Sequence, residues 1–445
     1  MQIVIIGMGE VGKHLAAMLT EENHDVTIID SNSEVLEVAE DRLDVRAVAG
    51  NGASINTLRA AEVDKAELVA AVTDNDEANI VASLQAKELG AQTIIARVDS
   101  HEYLPGWQGA YHGILGIDLV ISPRILAAIQ VQKLIRSFGA VSVADFADDR
   151  VQMVQLPIGN NDICNITLKD LETPSDILVA AILRGGELII PSGMDIILPD
   201  DEVFIIGKTD KISSAESYFG KARAGGAKSV VILGGGEIGF AVARSLEKQN
   251  IKVRIIEWNP RVCQYLSEAL SEATILNGDG TDLELLEEEK IGDADVFVAA
   301  SKRDEVNLMA GLLVRNLGVK KTIALVHRPD YIKIYEHLGL DATISPRRFA
   351  ADQILKYVRA GRVVSVSEIA DGKGEILEFV APKKSKIIQN NLKNTSFPRG
   401  AVIGAIAGKQ GILVPTGDDR VQPGDSVIIF STPEVRPKVE ELFKQ

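Results

Sequence analysis

The chain has 445 residues, of which 46% are hydrophobic and 25% charged, and its formal net charge is −16. This length exceeds what a single hydrophobic core supports, so we expect several domains. The negative charge argues against a general nucleic-acid binder and against a polybasic membrane anchor, because phosphate backbones and anionic lipid headgroups would both be repelled.

Two further classes are disfavoured by the sequence. Cys164 and Cys263 lie far apart without a CxxC spacing, which indicates neither a disulfide framework nor a zinc site. Met1 leads directly into an apolar run, which leaves no room for a signal peptide, and no apolar run approaches the roughly 18 residues of a membrane span. We therefore expect a soluble cytoplasmic protein with no direct membrane insertion.

The first thirty residues contain a glycine-rich turn between two apolar runs. The turn is Gly7-Met8-Gly9-Glu10-Val11-Gly12, it follows residues 3–6, and the second run, residues 26–29, leads to Asp30. Strand, glycine turn, helix, strand and acid in this order predict a dinucleotide-binding unit. Gly7 permits the tight turn, Gly9 lets a phosphate approach, and Gly12 lets the helix pack on the strand. The helix N-terminus would attract the pyrophosphate, and Asp30 would accept hydrogen bonds from the ribose hydroxyls.

The same pattern occurs a second time. Gly234-Gly235-Gly236-Glu237-Ile238-Gly239 follows the apolar residues 229–233, and the run 253–256 leads to Glu257. Gly7 to Gly234 and Asp30 to Glu257 are both separations of 227 positions. The sequence is therefore duplicated, with one dinucleotide-binding unit predicted in each half.

The duplication extends beyond the glycine turns. Gly50-Asn51-Gly52 corresponds to Gly278-Asp279-Gly280, Thr73-Asp74 to Ser301-Lys302, Arg97 to Arg328, and the Ile-Ser-Pro-Arg at 121–124 to that at 344–347. Short strands with turns then follow in each half. The predicted fold class is α/β, with two tandem Rossmann-like doubly wound parallel-sheet lobes, each followed by a small α+β lobe. The predicted boundaries are 1–140, 141–222, 227–362 and 363–445.

The halves differ in length. The first half carries about eight extra residues between Asp99 and Ser122, including residues 105–107, and we expect a longer surface excursion there. Residues 221–228, which contain Gly225-Gly226, are the predicted linker between the halves.

Ligands of open α/β sheets bind at the carboxyl ends of the strands, where candidate residues of each half converge. In the first half, Asn51 and Gly52 follow the third strand and could contact adenine or ribose. The Thr73-Asp74 backbone could line the far side of the nucleotide. Arg97 ends the fifth strand, where its guanidinium could bind phosphate or form a structural ion pair, and the sequence does not decide between the two.

The second half offers Glu257, Asp279, Ser301 and Arg328 at the equivalent places. Glu257 and Asp279 stand where the first half has an aspartate and an asparagine, so the second site carries more negative charge. We therefore expect it to disfavour a ligand with extra phosphates relative to a dinucleotide, unless Arg328 and His327 compensate.

The sequence shows no catalytic apparatus. Hydride transfer needs a general acid or base beside the nicotinamide, and none of the six histidines recurs in both halves. There is no G-x-S-x-G elbow, no HExxH helix and no Walker A lysine. We expect no catalytic residue and no metal site, and hence ligand sensing rather than turnover. An NAD-dependent oxidoreductase is the main alternative, and a redox-sensing DNA regulator is a second, against which the net charge argues.

These motifs resemble those of the TrkA family, the cytoplasmic regulatory subunits of Trk potassium uptake systems, which consist of two tandem RCK (regulator of potassium conductance) units. The resemblance covers essentially the whole chain. Its carriers are GMGEVG with Asp30, GNGAS at 50–54, AVTDNDEAN at 71–79, GGGEIG with Glu257, and GDGTD at 278–282.

The resemblance implies a homotetrameric ring beneath a membrane potassium-transporting subunit of the TrkH or TrkG kind. It implies that NAD or NADH and ATP or ADP bind in the Rossmann lobes and alter the gate through ring rearrangement. The helices beginning at Pro123 and Pro346 match the crossover helices of the family, which pack on a neighbouring lobe. The implied nucleotide contacts are Gly7, Met8, Gly9, Glu10, Val11, Asp30, Thr73, Asp74, Arg97, Gly234, Gly235, Gly236, Glu237, Ile238, Glu257, Asp279 and Arg328.

Overall fold

The structure is a computed structural model that describes residues 1–100, 103, 116–220, 226–359, 365–370, 372–409 and 411–444. Most of the predicted excursion between Asp99 and Ser122, including residues 105–107, lies outside the described residues, as does most of the predicted linker at 221–228. Within the described ranges, no helix is both long enough and apolar enough to cross a membrane.

The first half begins with an open parallel sheet. Its elements are β1 Gln2–Ile6, α1 Glu10–Glu21, β2 Asp25–Asp30, α2 Ser33–Arg42, β3 Val45–Ala49, α3 Ile55–Ala60, β4 Leu68–Ala71, α4 Asp76–Leu89, β5 Thr93–Arg97 and β6 Leu119–Ile121. The strands pair in parallel in the order β3-β2-β1-β4-β5-β6, which is the order of a doubly wound dinucleotide-binding sheet. Helices cover both faces, so a central strand such as β4 is apolar and buried throughout.

A crossover helix and a small antiparallel sheet follow. Their elements are α5 Pro123–Arg136, β7 Ser142–Phe146, β8 Val151–Pro157, β9 Ile177–Arg184, β10 Glu187–Ile189, β11 Glu202–Lys208 and α6 Ile212–Phe219. The strand order is β10-β9-β11-β8-β7. Ser122 Oγ caps α5 by accepting a hydrogen bond from Ile125 N at 3.3 Å. Pro123 occupies the first helical turn, where its missing N–H costs nothing.

The second half repeats the open parallel sheet. Its elements are β12 Ser229–Leu233, α7 Glu237–Glu247, β13 Lys252–Glu257, α8 Pro260–Ala269, β14 Thr274–Asn277, α9 Leu283–Glu288, β15 Val296–Ala299, α10 Asp304–Asn316, β16 Lys321–Leu325, α11 Ile332–His337 and β17 Ala342–Ile344. The strand order β14-β13-β12-β15-β16-β17 is that of the first sheet shifted by one repeat.

The second small lobe completes the described chain. Its elements are α12 Pro346–Arg359, β18 Ser365–Ile369, β19 Gly374–Val380, β20 Ala401–Gly408, β21 Gly411–Leu413, β22 Ser426–Ser431 and α13 Arg436–Leu442. Short 3-10 helices span Val63–Lys65, Thr209–Lys211, Ile291–Asp293, Pro329–Tyr331, Lys386–Ile388 and Leu392–Asn394. The strand order β18-β19-β22-β20-β21 matches that of the first small sheet. The predicted fold class is confirmed, whereas the four domain boundaries stay a prediction.

Each of the two crossover helices packs on the Rossmann lobe of the other half. Helix α5 of the first half packs on α7 of the second, and its Val131 shares a buried cluster with Val242. Helix α12 of the second half packs on α1 of the first, and its Ile354 shares a buried cluster with Leu15. The lobe on which each crossover helix packs therefore belongs to the other half of the same chain.

The two small sheets also pack against each other. Phe204 of β11 lies in one buried cluster with Ala405 of β20 and Phe430 of β22. A polar contact crosses the same boundary, because Ala147 N donates a hydrogen bond to Glu378 Oε1 at 3.2 Å. The halves are therefore joined at two levels, through the crossover helices and through the small lobes.

A buried lysine ties the end of the first crossover helix to the second Rossmann lobe. Lys321, the first residue of β16, is only 3% exposed. Its Nζ donates hydrogen bonds to the carbonyl oxygens of Leu134 at 2.7 Å, Ser137 at 3.0 Å and Ala140 at 2.7 Å. These carbonyls belong to the end of α5 and the residues just after it, where helical acceptors lack partners within the helix.

Replacing this lysine should loosen the junction between the halves. In Lys321→Met the three carbonyls lose their donor inside the protein, and we expect the free energy of unfolding to fall by about 2 kcal/mol. Chemical denaturation measures this. Lys320→Met is the matched control, because Lys320 is 48% exposed and pairs with Asp295 at 2.5 Å, so its loss should cost no more than about 1 kcal/mol. Equal losses in the two variants would contradict the assigned role of Lys321.

The junction should also depend on pH. Burial lowers the pKa of Lys321 to about 7, against the opposing charges of Glu216 and Asp341, whereas an unfolded lysine titrates near pH ~10.4. Between these values the unfolded chain holds more protons at this position, so the contribution of Lys321 to the free energy of unfolding rises with pH. The difference in unfolding free energy between wild type and Lys321→Met should therefore grow from about pH 7 to about pH 9.5, where the neutral amine keeps two N–H donors for the three carbonyls and no longer carries a buried charge. A difference that shrinks over this interval would contradict the prediction.

Candidate functional site

Each glycine turn bends sharply at its first residue. Gly7 has a φ of +103° and Gly234 a φ of +100°, a left-handed conformation that residues with a side chain rarely adopt. Gly7 N donates to Ile29 O at 2.8 Å, and Gly234 N donates to Ile256 O at 2.9 Å. These hydrogen bonds hold each turn at the carboxyl edge of its parallel sheet.

The last glycine of each turn permits a close approach between helix and turn. A Cβ added to Gly12 would lie 1.9 Å from the carbonyl oxygen of Gly7, and one added to Gly239 would lie 2.0 Å from that of Gly234. Both distances are far below van der Waals contact. The roles predicted for these glycines from their spacing are therefore physically required by the packing.

The middle of each turn is open. A Cβ added to Gly9 or Gly236 would meet nothing within 4 Å. These two glycines occupy the N-cap positions of α1 and α7, and among the described residues neither helix has a side-chain cap. The first-turn amides and the positive end of the helix dipole thus face a space that an anionic group can enter.

The side chains behind the turn point inward. Val11 lies in the core of the first Rossmann lobe, and Ile238 packs against the core of the second. Met8 is also buried, while Glu10 is half-buried. Val11 and Ile238 can therefore offer a ligand their backbone amides rather than their side chains.

The predicted ribose-binding acids are both held by backbone amides. Asp30 accepts hydrogen bonds from Met8 N at 2.7 Å and Asn32 N at 2.9 Å. Glu257 accepts them from Gly235 N at 2.8 Å and Asn259 N at 2.8 Å. Glu257 thus makes the same contacts as Asp30 despite its longer side chain, and it is only 7% exposed.

A buried asparagine fixes the next strand end in each half. Asn79 accepts from Thr73 N at 3.0 Å and donates to the carbonyl of Arg97 at 2.9 Å. Asn307 accepts from Ser301 N at 2.9 Å and donates to the carbonyl at the end of β16. Both asparagines are fully buried, so they hold two neighbouring strand ends at a fixed separation.

The predicted cationic contacts are occupied by other partners. Arg97 donates two hydrogen bonds to Asp99 Oδ2, from Nε at 3.0 Å and from Nη2 at 2.6 Å. The structural ion pair that the sequence left open is therefore present. Arg328 donates to Tyr331 Oη at 2.8 Å and lies 4.5 Å from the centre of that ring. Phosphate binding by Arg97 or Arg328 stays a prediction that needs a change of partner.

The loops after the third strands are shaped by local hydrogen bonds. Asn51 Oδ1 accepts from Ala53 N at 2.9 Å. Asp279 Oδ1 accepts from Thr281 N at 2.9 Å and Thr281 Oγ1 at 2.8 Å, and these bonds lower the pKa of Asp279. Gly52 is required by packing, since its Cβ would lie 2.1 Å from the Ile6 side chain. Asp74 is exposed.

The second site opens into a cavity of about 1450 Å³. Seven of the candidate residues line it, namely Gly234, Gly235, Gly236, Glu237, Glu257, Asp279 and Ser301. Ile238 and Arg328 are not among its lining residues. Asp99 and Arg124 of the first half also line the wall, so this cavity lies at the boundary between the halves.

Charged side chains of both signs line this cavity. Its acidic lining residues are Asp99, Glu237, Glu257 and Asp279, and its basic lining residues are Arg124, Arg244, Lys248, Lys302 and Arg303. The expected excess of negative charge over the first site stays a prediction, although these five basic side chains outnumber the four acidic ones in the second-site cavity. The packing of α5 on α7 adds Arg124 from the first half. Helix α7 and the residue that follows it add Arg244 and Lys248.

Several residues of the site were missed by sequence reasoning. Arg124 lies in the first half, and nothing in its local sequence links it to the second glycine turn. Trp258 directly follows Glu257, is 75% exposed and lines the cavity, so its ring is available to stack on a flat ligand. The buried asparagines Asn79 and Asn307 could have been found, since the same residue recurs at the same place in both halves.

No metal centre is visible in the described part of the chain. No group of three or more His, Cys, Asp or Glu side chains is placed there to hold an ion. Histidine is also absent from the described lining of the second-site cavity. His327, which precedes Arg328 in the sequence, contacts Asp304 Oδ1 through its Nδ1 at 2.8 Å.

Comparison with known proteins identifies the family. The TrkA-N domain model matches residues 3–123 and 230–346, and the TrkA-C domain model matches residues 153–220 and 376–444. The Trk system potassium uptake protein TrkA homolog 1 of Methanosarcina mazei is 36% identical, and TrkA of Halomonas elongata is 35% identical. The first covers 100% of both chains, and the second covers 100% of this chain and 99% of its own. The chain belongs to the TrkA family of Trk system potassium uptake proteins.

Solved structures share the fold of both halves. The GsuK RCK domain has a TM-score of 0.62 at 18% identity and covers 99% of this chain and 94% of its own. The GsuK channel bound to NAD has a TM-score of 0.63 at 18% identity and covers 99% of this chain and 78% of its own. The predicted fold, with a Rossmann-like lobe and a small lobe in each half, is thereby confirmed.

The two kinds of glycine in the turn should respond differently to alanine. Gly239→Ala forces a Cβ against the Gly234 carbonyl oxygen, so we expect α7 to shift and the free energy of unfolding to fall by about 1–3 kcal/mol. Gly236→Ala adds a methyl group to open space, so stability should be retained while nucleotide binding weakens. Denaturation and ligand titration measure the two effects. Equal destabilisation by both substitutions would contradict this account.

Proposed function

We propose that the protein is a cytoplasmic regulatory subunit of a potassium uptake channel or transporter. In this proposal it binds NAD or NADH and ATP or ADP in its two Rossmann lobes and gates a membrane potassium-conducting subunit through rearrangement of a homotetrameric ring. It catalyses no reaction. The observation that carries the proposal is the pairing of two complete glycine-turn sites with crossover helices exchanged between their lobes.

Nucleotide binding is supported by the geometry of both turns. Each site presents uncapped helix amides beside an acid whose two oxygens are held by the backbone. Each acid oxygen keeps a second lone pair for a ribose hydroxyl. GsuK, which shares the fold, has been solved as a channel bound to NAD and in a form bound to ADP.

Gating requires that a nucleotide bind one arrangement of the lobes better than another, since equal binding shifts nothing. Couplings of about 1–3 kcal/mol per site are typical. The second glycine turn leads into α7, which packs on α5, and Lys321 holds the end of α5. A ligand that moves the turn can therefore move a helix that leads into the small lobe of the other half.

The oxidoreductase alternative needs a catalytic acid or base and a substrate domain. The segment after the first Rossmann lobe is instead a small lobe, followed by a second Rossmann lobe. Turnover of NAD(H) with a panel of small alcohols and ketones would revive this alternative.

Each acid should control one nucleotide site. Titration calorimetry with NAD, NADH, ATP and ADP should give two sites in wild type and one site in each of Asp30→Ala and Glu257→Ala. We expect at least about tenfold weaker binding at the altered site, because two ribose hydrogen bonds to a charged acceptor are lost. Asp74→Ala alters an exposed residue outside the turn and tests whether Asp74 belongs to the first nucleotide site. A wild-type protein that binds none of the four nucleotides would overturn the proposal.

A further inference from the structure

Arg124 belongs to the first half but lies in the cavity of the second Rossmann lobe. It is the second residue of α5, and the packing of α5 on α7 carries it across the boundary between the halves. Its Nη1 pairs with the Glu237 carboxylate, and its Nε lies 4.0 Å from Asp99 Oδ2. Arg124, Glu237 and Asp99 all line the cavity that the second glycine turn opens into.

Glu237 occupies the place that a phosphate would approach. It is the first residue of α7 and follows Gly236 directly, so its carboxylate lies at the uncapped, positive end of the helix. Both members of the pair are accessible, since the Arg124 side chain is 42% exposed and that of Glu237 is 49% exposed. Burial opposes the charge of Arg124, yet the hydrogen bond to Glu237 and the charge of Asp99 raise its pKa. The arginine is therefore a permanent cation held beside the anion-binding turn.

We propose that Arg124 is a phosphate ligand that the first half supplies to the nucleotide site of the second half. This inference rests on the proposed nucleotide binding and adds that Arg124 contacts the phosphate groups of the ligand. A bound di- or triphosphate at the turn repels Glu237 and attracts the guanidinium, so Arg124 exchanges its carboxylate partner for phosphate oxygens. The second site thereby favours phosphate-rich nucleotides over adenosine.

The exchange would link ligand charge to the position of a helix. Arg124 sits at the start of α5, while Lys321 holds the end of α5. Asp99 is shared with Arg97, whose two hydrogen bonds to it stay in place when Arg124 leaves. The buried carboxylate therefore remains paired, which lowers the cost of the exchange.

The test uses the full chain with Asp30→Ala, so that binding at the second site is read alone. Arg124→Gln should weaken ATP and ADP binding about tenfold or more and leave adenosine affinity unchanged, because a charge-assisted hydrogen bond to phosphate is lost. Glu237→Gln should strengthen ATP binding, since a competing negative charge is removed. Arg136→Gln is the matched control, because Arg136 lies on the same helix and also reaches the second half, at Gln249 Oε1 with a distance of 3.2 Å. It should change neither affinity.

The opposite effects of Arg124→Gln and Glu237→Gln separate a ligand role from a structural one. If both variants weaken ATP and adenosine alike, the ion pair merely positions the helices, and the inference is overturned. If Arg124→Gln leaves the ratio of ATP to adenosine affinity at its wild-type value, it is overturned while the proposed function stands. If Glu257→Ala removes no nucleotide binding, the proposed function itself is overturned at this site.

Discussion

The contact between the helix and the glycine turn sets the geometry of both Rossmann lobes. A Cβ added at Gly12 or Gly239 would lie within 2.0 Å of the carbonyl oxygen of the first glycine of the turn, so neither position has room for a side chain. This contact places the helix N-terminus directly over the carboxyl edge of the sheet. The amides then remain uncapped, because the turn that would supply a capping side chain consists of glycine at that position. The packing alone therefore leaves helix amides facing a space that an anionic group can enter.

The exchange of crossover helices converts two similar lobes into one interdependent unit. Because α5 packs on the second lobe and α12 on the first, neither Rossmann lobe is covered by its own half alone. The face-to-face small sheets add a second connection. Displacement of one lobe therefore has to be accommodated by elements of the other half, which is the kind of coupling that the proposed gating requires.

The halves repeat a fold and its backbone contacts, but differ at some of the equivalent side chains. Asn79 and Asn307 hold their strand ends identically, and Asp30 and Glu257 accept the same pair of backbone hydrogen bonds. The side chains above this common frame differ, with five basic groups and Trp258 around the second turn. Duplication preserved the residues that shape the backbone, while some charged positions changed, since Lys302 stands where the first half has Asp74 and Asp279 where it has Asn51.

The sequence by itself determined the duplication, the class of each sheet, both glycine turns and both acids. These follow from the spacing of neighbouring residues, which is dictated by strand and helix geometry. Only the tertiary structure decided that Arg97 pairs with Asp99, that Arg124 meets Glu237 across 113 positions, and that Lys321 reaches Leu134 across 187. The partner of Arg97 is a near neighbour in sequence, but only the surrounding side chains decide which group an arginine contacts. The other two contacts depend on how whole lobes pack, and that packing leaves no periodic signal in the chain. The first-half residue Arg124 lines the second-half cavity for this reason.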